Sequence, residues 1–134
     1  MTTTIRYKLT NEYGETYGHT KWELGASYHT NGHGDLCGPG WLHCYSDPLL
    51  AVLLNPLHAS FPAPRMCMVV VSGECRQDHG LKEGWTEMAF SRWIDLPAVT
   101  TEQRVRFGIL CAKEVCTEPE WVVWADRWLS AEDR

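Results

Sequence analysis

The segment MCMVVVSG, residues 66–73, decides the fold. Its first six residues are an uninterrupted apolar run with three consecutive valines, and β-branched residues favour the pleated surface of a strand. Because both of its alternating sides are apolar, the run predicts a central strand that is buried on both faces. Gly73 is expected to end this strand.

Further strands are predicted on both sides of this segment. Residues 5–10 and residues 85–93 alternate apolar with polar side chains, which is the pattern of a half-buried strand. Met88 and Phe90 of the later segment are expected to face the core. The predicted strands, in chain order, cover residues 5–10, 15–20, 41–45, 66–71 and 85–93.

Three helices are predicted from capping residues and prolines. Residues 46–48, Ser-Asp-Pro, favour a helix start before the apolar run 49–54, which should be buried because it is apolar on all sides. Pro56 is expected to end this helix. Residues 100–103 resemble a capping box that opens a second helix, and residues 117–120 are expected to cap a third in the same style.

The order of these elements predicts an α+β fold in a single domain over residues 1–134. Its body, residues 1–96, would hold a small mixed or antiparallel sheet and the first helix. Residues 97–134 would form a C-terminal helical pair, which is too short to be independent and is expected to pack on the body. A chain of 134 residues can bury about two-thirds of its unfolded surface, so folding requires neither disulfides nor a metal.

Charge and hydropathy exclude several classes of function. The chain has 12 Lys and Arg against 17 Asp and Glu, a net charge of −5, which argues against a nucleic-acid binder that works by bulk electrostatics. The longest apolar run, residues 49–54, is far shorter than the roughly 20 residues of a membrane span. The N-terminus lacks the apolar core of a signal peptide, so a cytoplasmic location without a membrane partner is expected.

Cysteines and histidines were candidates for a metal site or a nucleophile. The six cysteines should stay reduced in a cytoplasmic protein. The densest cluster, His33, Cys37, His43 and Cys44, does not have zinc-ligand spacing, and adjacent residues of a strand point to opposite faces, so no metal site is predicted. Cys44 precedes a helix start and is the best nucleophile candidate, although a buried, inert thiol is the favoured interpretation.

A stripe of tryptophans marks the third predicted helix. Trp121, Trp124 and Trp128 fall at positions i, i+3 and i+7, on one face. Such a face is most often the part of a helix that packs on the core. Where it is exposed, it becomes a partner-binding surface, because tryptophan anchors dominate protein interfaces.

The segment LCGPGWLHC, residues 36–44, followed by Asp-Pro-Leu at 47–49, resembles an uncharacterised domain family common in bacteriophages and prophages. Its members have a first strand like Tyr7-Lys8, a loop ending in L-C-x-x-G-[FW]-x-x-C and a helix that opens with D-P or N-P. The match covers most of the chain. This resemblance implies a phage-encoded accessory protein in the cytoplasm of a bacterial host.

A more distant resemblance is to the core of the ADP-ribosyltransferases. The first strand with Tyr7, the segment from Gly40, the helix with Ala51 and the strand up to Gly73 follow in the order of that fold. The resemblance implies an ADP-ribosyltransferase-like body that grips NAD in a cleft between two sheets. The ligand-binding residues that it implies are Tyr7, Lys8, Gly40, Trp41 and His43.

The same resemblance implies Glu87 as the catalytic residue. A glutamate in this role polarises the ribose and stabilises an oxocarbenium-like transition state. Lys8 stands where the family has the His or Arg that holds the adenosine side, and Leu42 stands where it has the Tyr that stacks on nicotinamide. These departures make the fold a firmer expectation than the activity.

Two functions therefore compete, with a third behind them. The first is binding of a host or defence-system protein, as an inhibitor or modulator, through the tryptophan stripe. The alternative is an ADP-ribosyltransferase-like enzyme that binds NAD or a related nucleotide and modifies a host macromolecule. Binding ranks first because the catalytic set is incomplete. The third is an enzyme of different chemistry that uses His43 and Cys44.

Overall fold

The computed structural model describes residues 3–131, which form an α+β fold. The chain divides into two compact units, Met1–Pro97 and Ala98–Arg134. The described strands are β1 (Thr4–Thr10), β2 (Glu15–Thr16), β3 (Thr20–Lys21), β4 (Ser27–His29), β5 (Leu42–Cys44), β6 (Arg65–Asp78) and β7 (Lys82–Ile94). The described helices are α1 (Pro48–His58), α2 (Thr101–Lys113) and α3 (Pro119–Leu129), and none of them is long and apolar enough to cross a membrane.

The first unit is built on an antiparallel sheet with β6 in its interior. The order is β1-β6-β7, and both β4 and β5 pair with the other edge of β7. The predicted central position of β6 is confirmed, since it lies between β1 and β7. Burial on both faces is not: Val69 and Val71 are buried on the core face, whereas Val70 on the opposite face is half-buried and lines a surface depression. The prediction that Gly73 ends β6 is wrong: a bulge between Ser72 and Cys75, with Gly73 at a φ of 83°, lets the strand bend and continue.

Residues that follow β5 bring this part of the chain onto the free edge of β1. The backbone N–H of Tyr7 donates to the carbonyl of Tyr45 at 2.9 Å, and the N–H of Tyr45 donates to the carbonyl of Tyr7 at 2.8 Å. The sheet is therefore curled, with β5 between β7 and β1. This curl positions the candidate site.

The core of the first unit lies inside this curl. Trp22 stacks on Phe90 with ring centroids 5.1 Å apart, and Met88 lies in the same cluster, so the two predicted core residues of β7 are confirmed. The buried cluster consists of Trp22, Leu42, Cys44, Cys67, Val69, Val71, Met88 and Phe90.

Helix α1 packs against β1 and differs from its prediction in two ways. It begins as expected, because the Asp47 carboxylate accepts a hydrogen bond from the N–H of Leu49 at 2.8 Å. Pro56 does not end it; the helix continues to His58. Nor is the run 49–54 buried on all sides, since Leu49 is 46% exposed while Ala51, Val52 and Leu54 are buried.

The second unit consists of α2 and α3. The predicted capping box of α2 is confirmed: Thr100 Oγ1 accepts from the N–H of Gln103 at 3.1 Å, and Gln103 Oε1 accepts from the N–H of Thr100 at 2.9 Å. The expectation of the same style of cap for α3 is wrong, because Glu118 makes no side-chain cap bond. An ion pair between Lys113 and Asp126 connects the two helices.

Candidate functional site

A cavity of about 310 Å³ opens in the first unit where β1, β5 and the C-terminal end of α1 meet. Its floor is buried and mostly aromatic or aliphatic, and its rim carries polar groups that are half-buried or exposed. The floor residues are Lys8, Leu9, Trp22, Trp41, Leu42 and Tyr45. Polar groups nearer the rim include His43, Asn55, His58 and Lys82. No Asp or Glu of residues 3–131 lines it.

Lys8 is the unusual group in this cavity. In the register of the sheet it lies opposite Cys67, on the core face of β1, so its side chain is covered and the residue is only 6% exposed. Its ammonium donates to the carbonyl of His43 at 2.7 Å and lies 4.8 Å from the centre of the Trp22 ring. The pKa of Lys8 is lowered from 10.5 to about 8, mainly by burial; Cys44 opposes this shift and nearby Lys82 adds to it.

The partners of Lys8 are therefore neutral. No ion pair in the described part of the chain includes it. A buried ammonium without a counter-charge is unfavourable, because a low-dielectric surrounding penalises the charged form. The carbonyl of His43 and the face of Trp22 offset part of this penalty.

Tyr45 and His58 form a hydrogen-bonded pair in the same cavity. Tyr45 Oη lies 2.6 Å from His58 Nδ1, and the two rings stack with centroids 5.8 Å apart. Burial raises the pKa of Tyr45, so the phenol stays protonated and donates. Burial, with a contribution from Lys82, lowers the pKa of His58, so a neutral imidazole accepts at Nδ1 and carries its own proton on Nε2.

Trp41, directly before β5, and His43, within β5, both line the cavity. His43 Nε2 contacts the carbonyl of Leu36, while burial lowers the pKa of the ring with smaller effects of the nearby lysines. The Trp41 indole donates to the carbonyl of Gly34 at 3.2 Å, and the Arg76 guanidinium lies 5.0 Å from the centre of the ring. Both contacts fix the indole as a rigid wall.

Three of the five predicted ligand-binding residues come together here. Lys8, Trp41 and His43 all line the cavity. Tyr7 does not, and its role in the structure is the backbone pair with Tyr45. Gly40 also lies outside it, in a shallow depression beside the 29–33 loop.

Gly40 has a positioning role next to the cavity. A Cβ on this residue would lie 2.0 Å from the carbonyl oxygen of His33, so only glycine allows the two backbones to approach. Its own carbonyl accepts from the N–H of Gly32 at 2.8 Å. Gly40 therefore sets the path of the chain into Trp41.

Glu87 lies apart from the cavity. It is exposed, pairs in the sheet with Ser72 and His29, and accepts a hydrogen bond from Ser72 Oγ at 2.7 Å. It lines a separate depression over β4, β6 and β7. The structure does not bring this carboxylate together with Lys8, Trp41 and His43.

The thiol candidate Cys44 does not line the cavity, although its neighbour His43 does. Cys44 is fully buried, and burial raises the pKa of its thiol to about 12, which favours the inert interpretation. Over residues 3–131 there is no group of three His, Cys, Asp or Glu side chains that could hold a metal ion.

Sequence reasoning missed most residues of the cavity, among them the four that carry its remaining chemistry: Trp22, Tyr45, His58 and Lys82. They come from four separate segments, and no local spacing connects them. Lys82 belongs to β7, and its ammonium donates to Cys37 Sγ at 3.2 Å. The curl of the sheet, rather than a motif, brings these groups together.

The tryptophan stripe lies on α3 in the second unit. The rings of Trp121 and Trp124 have centroids 6.3 Å apart and are tilted by 45°. Trp124 is 42% exposed, while Trp121 and Trp128 are half-buried. The stripe is thus neither fully buried nor fully open.

Comparisons of the chain with protein-family models, with curated protein sequences and with solved structures found no match. The phage-family resemblance and the ADP-ribosyltransferase resemblance both stay predictions from the residues that carry them. The chemistry of the cavity is therefore the basis for a functional conclusion.

Proposed function

We propose that the first unit binds a small organic anion with a flat ring in the cavity on β1. The observation that carries this proposal is the buried ammonium of Lys8, which faces an aromatic cavity without a carboxylate partner. A phosphate or carboxylate group beside Lys8 supplies the missing counter-charge. The ring then lies against the indole and phenol surfaces of the floor.

Charge in and around the cavity supports an anionic ligand. Lys8 and Lys82 both line it, and no carboxylate of the described residues does, although the whole chain has a net charge of −5. Attraction between a cation and an anion is stronger in a buried site than in water, because the effective dielectric constant is lower. The cavity is thus a local positive site on an acidic protein.

The volume limits the ligand to a small one. Ligand pockets range over about 300–1,000 Å³, and this cavity, at about 310 Å³, lies at the lower end. One ring with one anionic group suits that space better than a whole dinucleotide. We therefore propose that the cavity binds a ligand the size of one mononucleotide half of NAD, and nicotinamide mononucleotide is the probe.

Binding is proposed here rather than ADP-ribosyl transfer. Transfer of that type depends on a carboxylate near the ribose, and Glu87 is placed in a different depression. The chemistry available in the cavity is that of amines, imidazoles and a phenol. A transferase function would need a carboxylate that the described cavity does not offer.

A ligand series with matched variants tests the proposal. Thermal unfolding is measured with nicotinamide mononucleotide, NAD, ADP-ribose and inorganic phosphate, for the wild type, Lys8→Met and Lys21→Met. A ligand at one hundred times its dissociation constant stabilises the folded state by about 2.7 kcal/mol. We expect stabilisation by the mononucleotide that Lys8→Met abolishes and Lys21→Met, a change at an exposed lysine, retains. No stabilisation by any of these anions at millimolar concentration would refute it.

As a second candidate we infer protein binding through α3, with the host or defence-system partner that the phage resemblance implies. The observation that favours it is the exposure of Trp124 at 42% next to Val123 at 58%. A complex with a host protein that survives Lys8→Met and is lost in Trp124→Ala would support this function. A complex that is insensitive to Trp124→Ala would exclude the stripe as its contact.

A further inference from the structure

We propose that Lys8 is a nucleophilic amine that forms an imine with an aldehyde or keto group of a small anionic ligand in the cavity. This inference rests on the proposed function, because the anion site is what delivers the carbonyl compound to the amine. It goes beyond binding by assigning a covalent step to one residue.

The surroundings of Lys8 suit this role. Lys8 lines the cavity, and its nitrogen has a single hydrogen-bond acceptor, the carbonyl of His43 at 2.7 Å, with the face of Trp22, another lining residue, on another side. A neutral amine can keep the bond to His43 as a donor while its lone pair is free to attack. Because β1 is held between β6 and Tyr45, the backbone of Lys8 is fixed within the sheet.

The step balances without an oxidant or reductant. The lone pair of the amine attacks the carbonyl carbon, and the carbonyl oxygen takes up a proton, which gives a carbinolamine. The carbinolamine hydroxyl then leaves as water, which carries away the original carbonyl oxygen and two hydrogens from the nitrogen. A C=N double bond connects Lys8 to the ligand.

Groups for proton transfer line the same cavity. The carbinolamine nitrogen must lose a proton, and its hydroxyl must gain one before it leaves. The Tyr45–His58 pair, joined at 2.6 Å, offers a basic nitrogen and a hydroxyl. His58 is exposed at the rim and exchanges protons with solvent.

Two of the other three lysines of the chain, Lys21 and Lys113, do not line the cavity and provide internal controls. Lys21 is exposed and donates to the carbonyl of Tyr13, Lys113 is paired with Asp126, and Lys82 donates to Cys37. A pKa of about 8 in place of 10.5 for Lys8 gives a neutral fraction near pH 7 that is roughly 300-fold larger than that of an ordinary lysine. The expected selectivity is therefore large.

The test uses pyridoxal 5′-phosphate as an aldehyde probe that carries one ring and one phosphate. The wild-type chain is exposed briefly to the probe and cyanoborohydride at pH 7, and the reduced adducts are located by peptide mass mapping. We expect Lys8 to be labelled at least tenfold faster than Lys21 and Lys113. Labelling of Lys8 at an equal or lower rate than theirs would overturn the proposal, and this measurement needs no variant that might fail to fold.

Pyridoxine 5′-phosphate separates the two claims, because it keeps the ring and phosphate but has an alcohol in place of the aldehyde. If it stabilises the protein while Lys8 stays unlabelled by the aldehyde, the imine is refuted and the anion site stands. If it does not stabilise the protein and Lys8 is unlabelled by the aldehyde, both claims fail.

A conservative variant checks that the amine itself reacts. Lys8→Arg keeps the positive charge but cannot form an imine under these conditions. We expect it to bind pyridoxine 5′-phosphate and to lose the fast-labelled site, while Lys21→Arg keeps that site. The labelling rate of wild-type Lys8 should rise about tenfold from pH 6 to pH 7, about fivefold from pH 7 to pH 8, and level off above pH 8. A rate that keeps rising to pH 10 would contradict the assignment.

Discussion

Arg6 and Lys8 lie two residues apart on the same face of β1. The charge of Arg6 is neutralised by a carboxylate, whereas the charge of Lys8 is not. Arg6 Nε lies 2.7 Å from Glu83 Oε1, and this carboxylate also accepts from the Trp85 indole at 2.9 Å. Lys8 has only a backbone carbonyl and a ring face. A cation that is neutralised inside the protein stabilises the fold, whereas a cation without a carboxylate is available to a ligand.

The largest expected effect comes from breaking the neutralised pair. Glu83 is 3% exposed, and Glu83→Ala leaves Arg6 partly buried without its partner. Removal of one partner of a buried pair destabilises by about 3–5 kcal/mol. Urea denaturation of Glu83→Ala should show that the free energy of unfolding falls by about 3–5 kcal/mol relative to the wild type.

Glu87→Ala is the matched control on the same strand, since this carboxylate is exposed. Its effect should stay within about 0.5 kcal/mol, as for ordinary surface positions. If Glu83→Ala lost no more stability than Glu87→Ala, the Arg6 pair would not be a structural element.

The next effect concerns the wall of the cavity beside Lys8. In Gly40→Ala the new methyl group would lie 2.0 Å from the His33 carbonyl oxygen, so the backbone must shift and carry Trp41 with it. Overpacking of this kind costs about 1–3 kcal/mol. Thermal unfolding of Gly40→Ala measures this loss of stability. The stabilisation that nicotinamide mononucleotide gives to the variant should also be smaller than in the wild type.

Gly108→Ala is a matched control for the same substitution. Its Cβ would meet nothing within 4 Å, and the position lies inside α2. Alanine in a helix interior is favoured over glycine by about 1 kcal/mol, so this variant should gain stability. A similar loss in both variants would contradict the close approach at Gly40.

The architecture could be predicted from the sequence where patterns are local. The valine run of β6, the alternation that places Met88 and Phe90 in the core, and the Thr100 capping box all act within a few residues. The end of β6 could not be predicted, because the sequence alone does not distinguish a glycine that permits a β-bulge, as Gly73 does, from a glycine that ends a strand. The short strand β4 was missed for a related reason: it is three residues long and gains its stability from β7.

The site was less predictable, because Lys8 reverses the usual pattern. Alternation of apolar and charged residues along β1 would send the lysine to solvent, yet Lys8 is buried and Ile5 is 40% exposed. Curling of the sheet decides which face is inside, and Trp22 supplies the cover over Lys8. Lys8, Trp41 and His43 were predicted through a resemblance, whereas Tyr45 and His58 meet only in the folded chain.

Because Lys8 has no carboxylate partner, its titration should change the free energy of unfolding with pH. The unfolded chain keeps the Lys8 proton up to a pKa near 10.5, while the folded chain loses it around pH 8. The unfolded state therefore binds more protons between these values, and the free energy of unfolding rises with pH. From pH 8 to pH 9 the wild type should gain about 1 kcal/mol relative to Lys8→Met.

Urea denaturation of both proteins at the two pH values measures this difference. Cys44 acts in the opposite direction, because its thiol has a pKa of about 12 in the folded chain, a value that Lys8 itself lowers in part. Removal of Lys8 therefore raises it further, and between pH 8 and pH 9 the folded thiol stays protonated in both proteins, so its contribution is the same in each. Parallel pH profiles for wild type and Lys8→Met would show that the ammonium is not penalised by burial, and the contrast with Arg6 would lose its basis.

The smallest expected effect comes from the polar pair on the other side of the cavity. Tyr45→Phe keeps the ring, the stacking on His58 and the packing of a residue that is 8% exposed, and removes only the hydroxyl. A neutral hydrogen bond contributes about 0.5–1.5 kcal/mol, and the lower end applies here because His58 is exposed and finds water as a substitute partner. Tyr17→Phe is the control, since Tyr17 lines the same cavity at 97% exposure and should change nothing. Thermal unfolding of the two variants decides the point: a loss well above 1.5 kcal/mol in Tyr45→Phe would mean that this pair, like Arg6 and Glu83, is primarily structural and not part of the chemistry around Lys8.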